Sequence, residues 1–156
     1  MTHEPWDATR ATAAIAEFAS VQGATLPILH ALQEMFGYID DSAVPLIADA
    51  LNLSRAEVVG TISFYHDFRR KPAGKHVLKL CRAEACQASG SEAMHAHAKR
   101  ALGVNWHETT LDGIVTLEPV FCLGLCACGP AALLDDQPLA RLDAAAFDAV
   151  LAEVRA

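Results

Sequence analysis

Apolar residues recur at helical spacing up to about residue 68, and then the period changes. From about residue 8 to 20 the chain is rich in alanine with apolar positions on one helical face, which predicts a first helix. Thr25 is placed to cap a second, with Pro27 tolerated in its first turn, and Leu29, Leu32 and Phe36 fall close to one face. Asp41 or Ser42 can cap a third, again with a first-turn proline, Pro45. Ser54 and Glu57 spell a capping box, S-x-x-E, ahead of a fourth helix carrying Val58, Val59 and Ile62. Residues 1–70 therefore read as a small helical bundle.

The stretch RRKPAGK, Arg69 to Lys75, breaks the periodicity with Pro72 and Gly74 and reads as a boundary. Beyond it, His76 to Leu80 alternates and predicts a short strand ending at Cys81. Ser89 and Glu92 spell a second capping box, for a helix that runs to about Leu102 and stops at Gly103. A second strand is expected near Ile114 to Leu117, with Pro119 ending it or placing it at an edge. Ala131 to Leu134 and Leu139 to Leu142 flank the turn DDQP as a hairpin. Asp143 then caps a last helix with Phe147, Val150, Leu151 and Val154 on one face. The order strand, helix, strand, hairpin, helix predicts an α/β sandwich of thioredoxin-like type over residues 71–156. The whole chain is thus of α+β class, a helical bundle followed by that domain.

The chain has 156 residues, 53% of them hydrophobic, which is ample for one domain or two small ones. No apolar run approaches the ~20 residues that a membrane helix needs. MTHEPWDATR has no basic-then-apolar leader pattern, so a cytoplasmic protein without membrane insertion is expected. The net charge of −7 disfavours nucleic acid and anionic membrane as partners. Arg69, Arg70, Lys71 and Lys75 form one local basic patch, read as a solvated linker or, less favoured, a docking patch.

Four of the five cysteines fall in two short pairs. Cys81 and Cys86 are spaced C-x4-C, Cys122 and Cys126 C-x3-C, and 35 residues separate the pairs. Clustered cysteines in a reducing compartment bind metal or do redox work more often than they form disulfides. On the expected sandwich both pairs can meet at one end of the sheet, in loops with free N–H groups. Amides around Ala83 to Ala88 and Gly124 to Ala127 are the expected donors to sulfur. The helix beginning near Ser89 would aim its positive end the same way. Spacing alone favours an iron–sulfur cluster, leaves structural zinc open, and leaves inert buried thiols as the plain alternative. C-x-x-C, the thioredoxin-style dithiol, is absent. Cys128 lies outside the pairs and reads as a small buried hydrophobe.

No G-x-G-x-x-G, Walker or serine-triad signature appears, so no catalytic residue is assigned. His95 and His97 are expected at the surface. His66, in FYHDF, is expected in the core or at an interface, and Trp6 and Trp106 in packing.

The two cysteine pairs, with CLGLC followed by Gly129-Pro130, resemble the thioredoxin-like 2Fe–2S ferredoxins. LPILHALQEMFGYI and VPLIADALNLSRAEVVGTISFYHDFR resemble the helical domain of the 24 kDa-type subunits of NADH-oxidising complexes. The resemblance runs from about residue 10 to 155. It implies one 2Fe–2S cluster on Cys81, Cys86, Cys122 and Cys126. It also implies a partner flavoprotein subunit that binds FMN and NAD and exchanges single electrons with this chain, and a helical domain that docks onto it. CRAEACQ, the segment Tyr65 to Arg69 and CLGLCACGPAA look most like the gamma subunit of NAD-dependent formate dehydrogenase. That finer resemblance implies a molybdenum- or tungsten-containing catalytic subunit in the same complex. The equivalent subunit of NADH–quinone oxidoreductase, or of an NAD(P)-linked hydrogenase, is the nearest alternative. A zinc-stabilised interaction module without redox function is the alternative from another class.

Overall fold

Four helices fill the first part of the chain: α1 (Ala8–Phe18), α2 (Thr25–Phe36), α3 (Ala43–Leu51) and α4 (Arg55–Phe64). The computed structural model describes residues 3–155. It divides into one compact unit ending at Pro72 and a second beginning at Ala73. In the first unit Ile15, Ile28, Leu29, Leu32, Ile47, Val58 and Ile62 form the buried core. Of the apolar residues that α4 carries, Val58 and Ile62 are buried and Val59 is exposed.

The caps show which local signals act. Asp7 starts α1 by accepting the Arg10 N–H. The Ser54–Glu57 capping box is complete, each side chain accepting the other residue's backbone N–H. Thr25 lies inside α2 rather than capping it, and Ala24 at the cap makes no side-chain bond. Before α3 neither Ser42 nor Asp41 caps. The Asp40 carboxylate instead accepts the Ser42 N–H (2.9 Å) and hydroxyl (2.7 Å), and so fixes the turn into the helix. The basic stretch is partly neutralised and tied back: Arg70 pairs with Asp41, and the Gln33 amide bridges the Asp67 carbonyl and the Arg69 N–H.

The second unit is a five-stranded mixed sheet in the order β2-β3-β1-β4-β5. Its elements are β1 (His76–Cys81), α5 (Glu84–Ala88), α6 (Ser91–Leu102), β2 (Glu108–Thr109) and β3 (Val115–Val120), then β4 (Ala132–Leu134), β5 (Gln137–Leu139) and α7 (Ala144–Arg155). β1 and β3 are parallel and joined through α5 and α6; the other pairings are antiparallel. Leu78, Leu80, Val115, Leu117 and Ala132 bury one face of the sheet with Met94, Ala98 and Leu102 of α6 and Phe147 of α7. Cys81, out of phase with Leu78 and Leu80, falls to the other face, in a separate small cluster with Cys86 and Ala131.

Three further expectations are corrected in this unit. β3 continues through Pro119 to Val120 although it is not an edge strand. The bonds His76 N–H to Ile114 O and Arg82 N–H to Val120 O put the even-numbered amides of β3 toward β1. The N–H that Pro119 lacks therefore faces the other side, beyond the end of two-residue β2. α6 starts at Ser91 after left-handed Gly90, with no side-chain cap, so the Ser89–Glu92 box does not form. The Ser89 hydroxyl donates to the Ala85 carbonyl instead. The second hairpin strand is Gln137–Leu139, not Leu139 to Leu142, because Asp135 and Asp136 both take positive φ in a two-residue turn. Finally, β2, with two residues, and the short helix α5, with five, are not expected from the pattern; neither is long enough to repeat a hydrophobic period.

Candidate metal centre

The sheet delivers Cys81 at the C-terminal end of β1, where its N–H donates to the Ala131 carbonyl (3.0 Å). Cys86 follows on α5, a helical turn rather than the loop that spacing suggests. Beyond the end of β3, Cys122 holds φ at 108°, a backbone state that side-chain-bearing residues rarely adopt. Gly124, at φ 74°, turns the chain back so that its N–H donates to Cys122 Sγ (3.4 Å). Cys126 opens a single turn of 3₁₀ helix, Cys126–Cys128, and its Sγ lies 3.9 Å from Cys122 Sγ.

The four thiols are therefore two pairs in contrasting surroundings. Cys81 and Cys86 are buried, while Cys122 and Cys126 are exposed. Burial pushes the Cys86 thiol up, and its bond with Cys81 and the nearby Cys81 and Cys126 charges add to this. The backbone bond from Ala131 opposes the rise. The Cys126 thiol is raised first by its bond with Cys122 and by the charge there, with Cys81 adding a smaller push. The Cys126 charge is felt at Cys86 and the Cys81 charge at Cys126, so the pairs share one neighbourhood. Thiolates crowded together repel one another, and a cationic metal centre relieves that repulsion. Soft sulfur donors in two pairs suit a centre with two metal atoms. Among the described residues no group of three or more His, Cys, Asp and Glu side chains forms a ready single-ion site. Gly129 is packed tightly against the site: a Cβ there would lie 3.3 Å from both Cys86 Sγ and Ser89 Oγ. Cys128 is half-buried and unpaired with any other cysteine.

Two residues around the thiols lie outside what the spacing anticipates. His95, expected at the surface, is buried, and its Nε2–H donates to the Cys81 carbonyl (3.0 Å). Burial holds its imidazole below the usual range. Arg82 lies with its guanidinium over Trp106 (5.3 Å) and Phe121 (5.9 Å), bridging the residue after Cys81 to the residue before Cys122. Its position next to Cys81 is a signal that sequence can offer; His95, fourteen residues on, offers none. His97 is half-buried and pairs with Asp148 of α7 (2.7 Å). His66 is exposed and outside the core. Trp6 packs against Phe36, and Trp106 against His95, Arg82 and Lys99.

This fold, with paired cysteines at the ends of its parallel strands, defines a ferredoxin-type class. The chain belongs to the thioredoxin-like [2Fe-2S] ferredoxin family, whose pattern it matches over residues 11–155. Among relatives, the E subunit of NADH-quinone oxidoreductase from Pseudomonas aeruginosa is 34% identical over 115 residues, 74% of this chain and 69% of the relative. The same subunit from Escherichia coli strain K12 is 32% identical over 130 residues, 83% of this chain and 78% of the relative. The second such subunit of Rhizobium meliloti, E 2, is 35% identical over 144 residues, 92% of this chain and 86% of the relative. Among solved structures, an NAD+-reducing [NiFe]-hydrogenase in the air-oxidized state superposes with a TM-score of 0.69 at 27% identity, over 84% of this chain. The chain spans only 22% of that hydrogenase chain. Among the described residues no helix is long and apolar enough to cross a membrane.

Proposed function

We propose that Cys81, Cys86, Cys122 and Cys126 hold one 2Fe–2S cluster, and that the chain passes single electrons to and from the FMN of an NAD-binding flavoprotein subunit. The observation that carries this reading is the meeting of the two thiol pairs at one end of the sheet, beyond β1 and β3. A bound 2Fe–2S centre supplies a one-electron couple, whose potential falls with net negative charge and rises with hydrogen bonds to sulfur. The chain's own residues supply the rest. Cys81 and Cys86 hold the buried side, where water is excluded. Cys122 and Cys126 hold the exposed side, which leaves a short route to a docked partner. Gly124 and Ala131 direct backbone N–H groups at sulfur.

The complex we favour is a cytoplasmic NAD-dependent formate dehydrogenase, with a molybdenum- or tungsten-containing catalytic subunit. CRAEACQ, Tyr65 to Arg69 and CLGLCACGPAA support this reading by resemblance. The second reading is the equivalent subunit of an NADH–quinone oxidoreductase, favoured by the names of the relatives. In either complex the helical unit is the docking element. Affinity purification of the tagged chain from its own cells separates the two. Recovery of a flavoprotein and a molybdopterin subunit, with formate-dependent NAD reduction, is expected. Recovery of membrane subunits or of a nickel–iron subunit would contradict the formate dehydrogenase assignment.

A further inference from the structure

Ser91 opens α6 and is 1% exposed, yet its Oγ has no hydrogen-bond partner. A buried hydroxyl without a partner is costly and uncommon in folded proteins. The neighbouring side chains of the same turn are satisfied: the Ser89 hydroxyl donates to Ala85 O, and the Gln87 amide to Arg82 O.

Two neighbours of Ser91 in the chain reach the region of the buried thiols. His95 lies four residues further along α6, so it shares a face with Ser91 one turn away. It is His95 whose Nε2–H reaches the Cys81 carbonyl. The Ser91 face of α6 is thus the face turned to the end of β1. From the other side, a Cβ on Gly129 would touch Cys86 Sγ and Ser89 Oγ at once, which puts the entry to α6 against the Cys86 sulfur. The backbone at Gly90 makes no side-chain cap, so the first amides of α6 also stay free of a side-chain acceptor.

We infer that the Ser91 hydroxyl, which reaches no cysteine sulfur, is a hydrogen-bond donor to an inorganic sulfide of the cluster on its Cys81–Cys86 side, and that it raises the reduction potential. The inference rests on the cluster reading above. Ser91 is a positioning and tuning residue, not a ligand. A donor to sulfur stabilises the more negative, reduced state more than the oxidised one, so its loss lowers the potential.

The test is an EPR-monitored redox titration of the full-length, cluster-loaded chain. At the wild-type midpoint, Ser91→Ala should shift the reduced-to-oxidised ratio about tenfold toward oxidised, ~59 mV for a one-electron couple. Ser91→Thr, which keeps the hydroxyl, should return the ratio to near that of wild type. Ser91→Cys, similar in size and a weaker donor, should fall between. An unchanged ratio in Ser91→Ala would overturn the inference and leave the cluster reading intact. Failure of both Ser91→Ala and Ser91→Cys to load iron, with normal wild-type loading, would overturn it too, because a tuning hydroxyl is not needed for assembly. A wild-type chain without iron or a reduced-state signal would instead remove the cluster reading beneath it.

Discussion

Cys126 and Cys128 stand two residues apart with the same side chain, yet only one faces another thiol. Cys128→Ser should keep full iron content and visible absorbance, whereas Cys126→Ser or Cys81→Ser should lose both. Iron analysis of the three variants checks the ligand set directly. Arg82 belongs to the same scale. Its flat guanidinium spans Trp106 and Phe121, and each exposed cation–π contact contributes about 0.5–1 kcal/mol. Arg82→Ala should speed hydrogen exchange in the segment 121–126, and Arg82→Lys should not restore it, since an ammonium lacks the planar stacking surface. A third prediction concerns acid. Bonds from the Ser42 hydroxyl and N–H hold the Asp40 carboxyl below the usual range. A depressed carboxyl stabilises the fold fully above the unfolded-state value and loses that contribution as pH falls through the folded one. Asp40→Asn should therefore flatten the acid limb of unfolding, followed by circular dichroism, and leave the slope near neutral pH unchanged.

At the scale of elements, the long periodic segments are legible in the sequence and the short ones are not. The four helices of the first unit announce themselves because buried residues such as Leu29, Leu32 and Phe36 repeat over several turns. The Ser54–Glu57 box is readable because both halves of it are local. An identical pattern at Ser89 and Glu92 fails because tertiary structure places left-handed Gly90 at the helix start and sends the Ser89 hydroxyl back into α5. Pro119 misleads for a related reason. Its cost depends on which side of the strand lacks a neighbour, and that is a property of the sheet. The strand-to-thiol placement is legible in outline, since β1 does end at Cys81. The contact of His95 with Cys81 and the burial of Ser91 come from the packing of α6 and leave no mark on spacing. One glycine in the linker carries a prediction at this scale. A Cβ on Gly74 would meet the Gly113 carbonyl oxygen at 2.9 Å and the Ile114 carbonyl at 3.0 Å, both backbone and unable to yield cheaply. Gly74→Ala should push the entry to β1 away from β3, break the Gly74 N–H bond to Thr116, and destabilise the second unit by roughly 1–3 kcal/mol in urea unfolding.

For the whole molecule, the two units bury separate cores with no residue in common. The thiols, their backbone donors and the side chains around them all belong to the second. A fragment beginning at Ala73 should therefore fold and load the cluster, while losing the capacity to hold the flavoprotein partner if the helical unit is the docking element. On the proposed function, electron holding falls to the second unit and choice of complex to the first. That split explains why the cysteine pairs identify the family yet do not select among formate-, quinone- and hydrogen-linked complexes. The most direct measurement of the central claim is iron, zinc and acid-labile sulfide analysis of the anaerobically purified chain, with EPR after dithionite reduction. About two irons, about two sulfides and about one spin per chain are predicted for a cluster on these four thiolates. About one zinc per chain, with no sulfide and no signal on reduction, would contradict it.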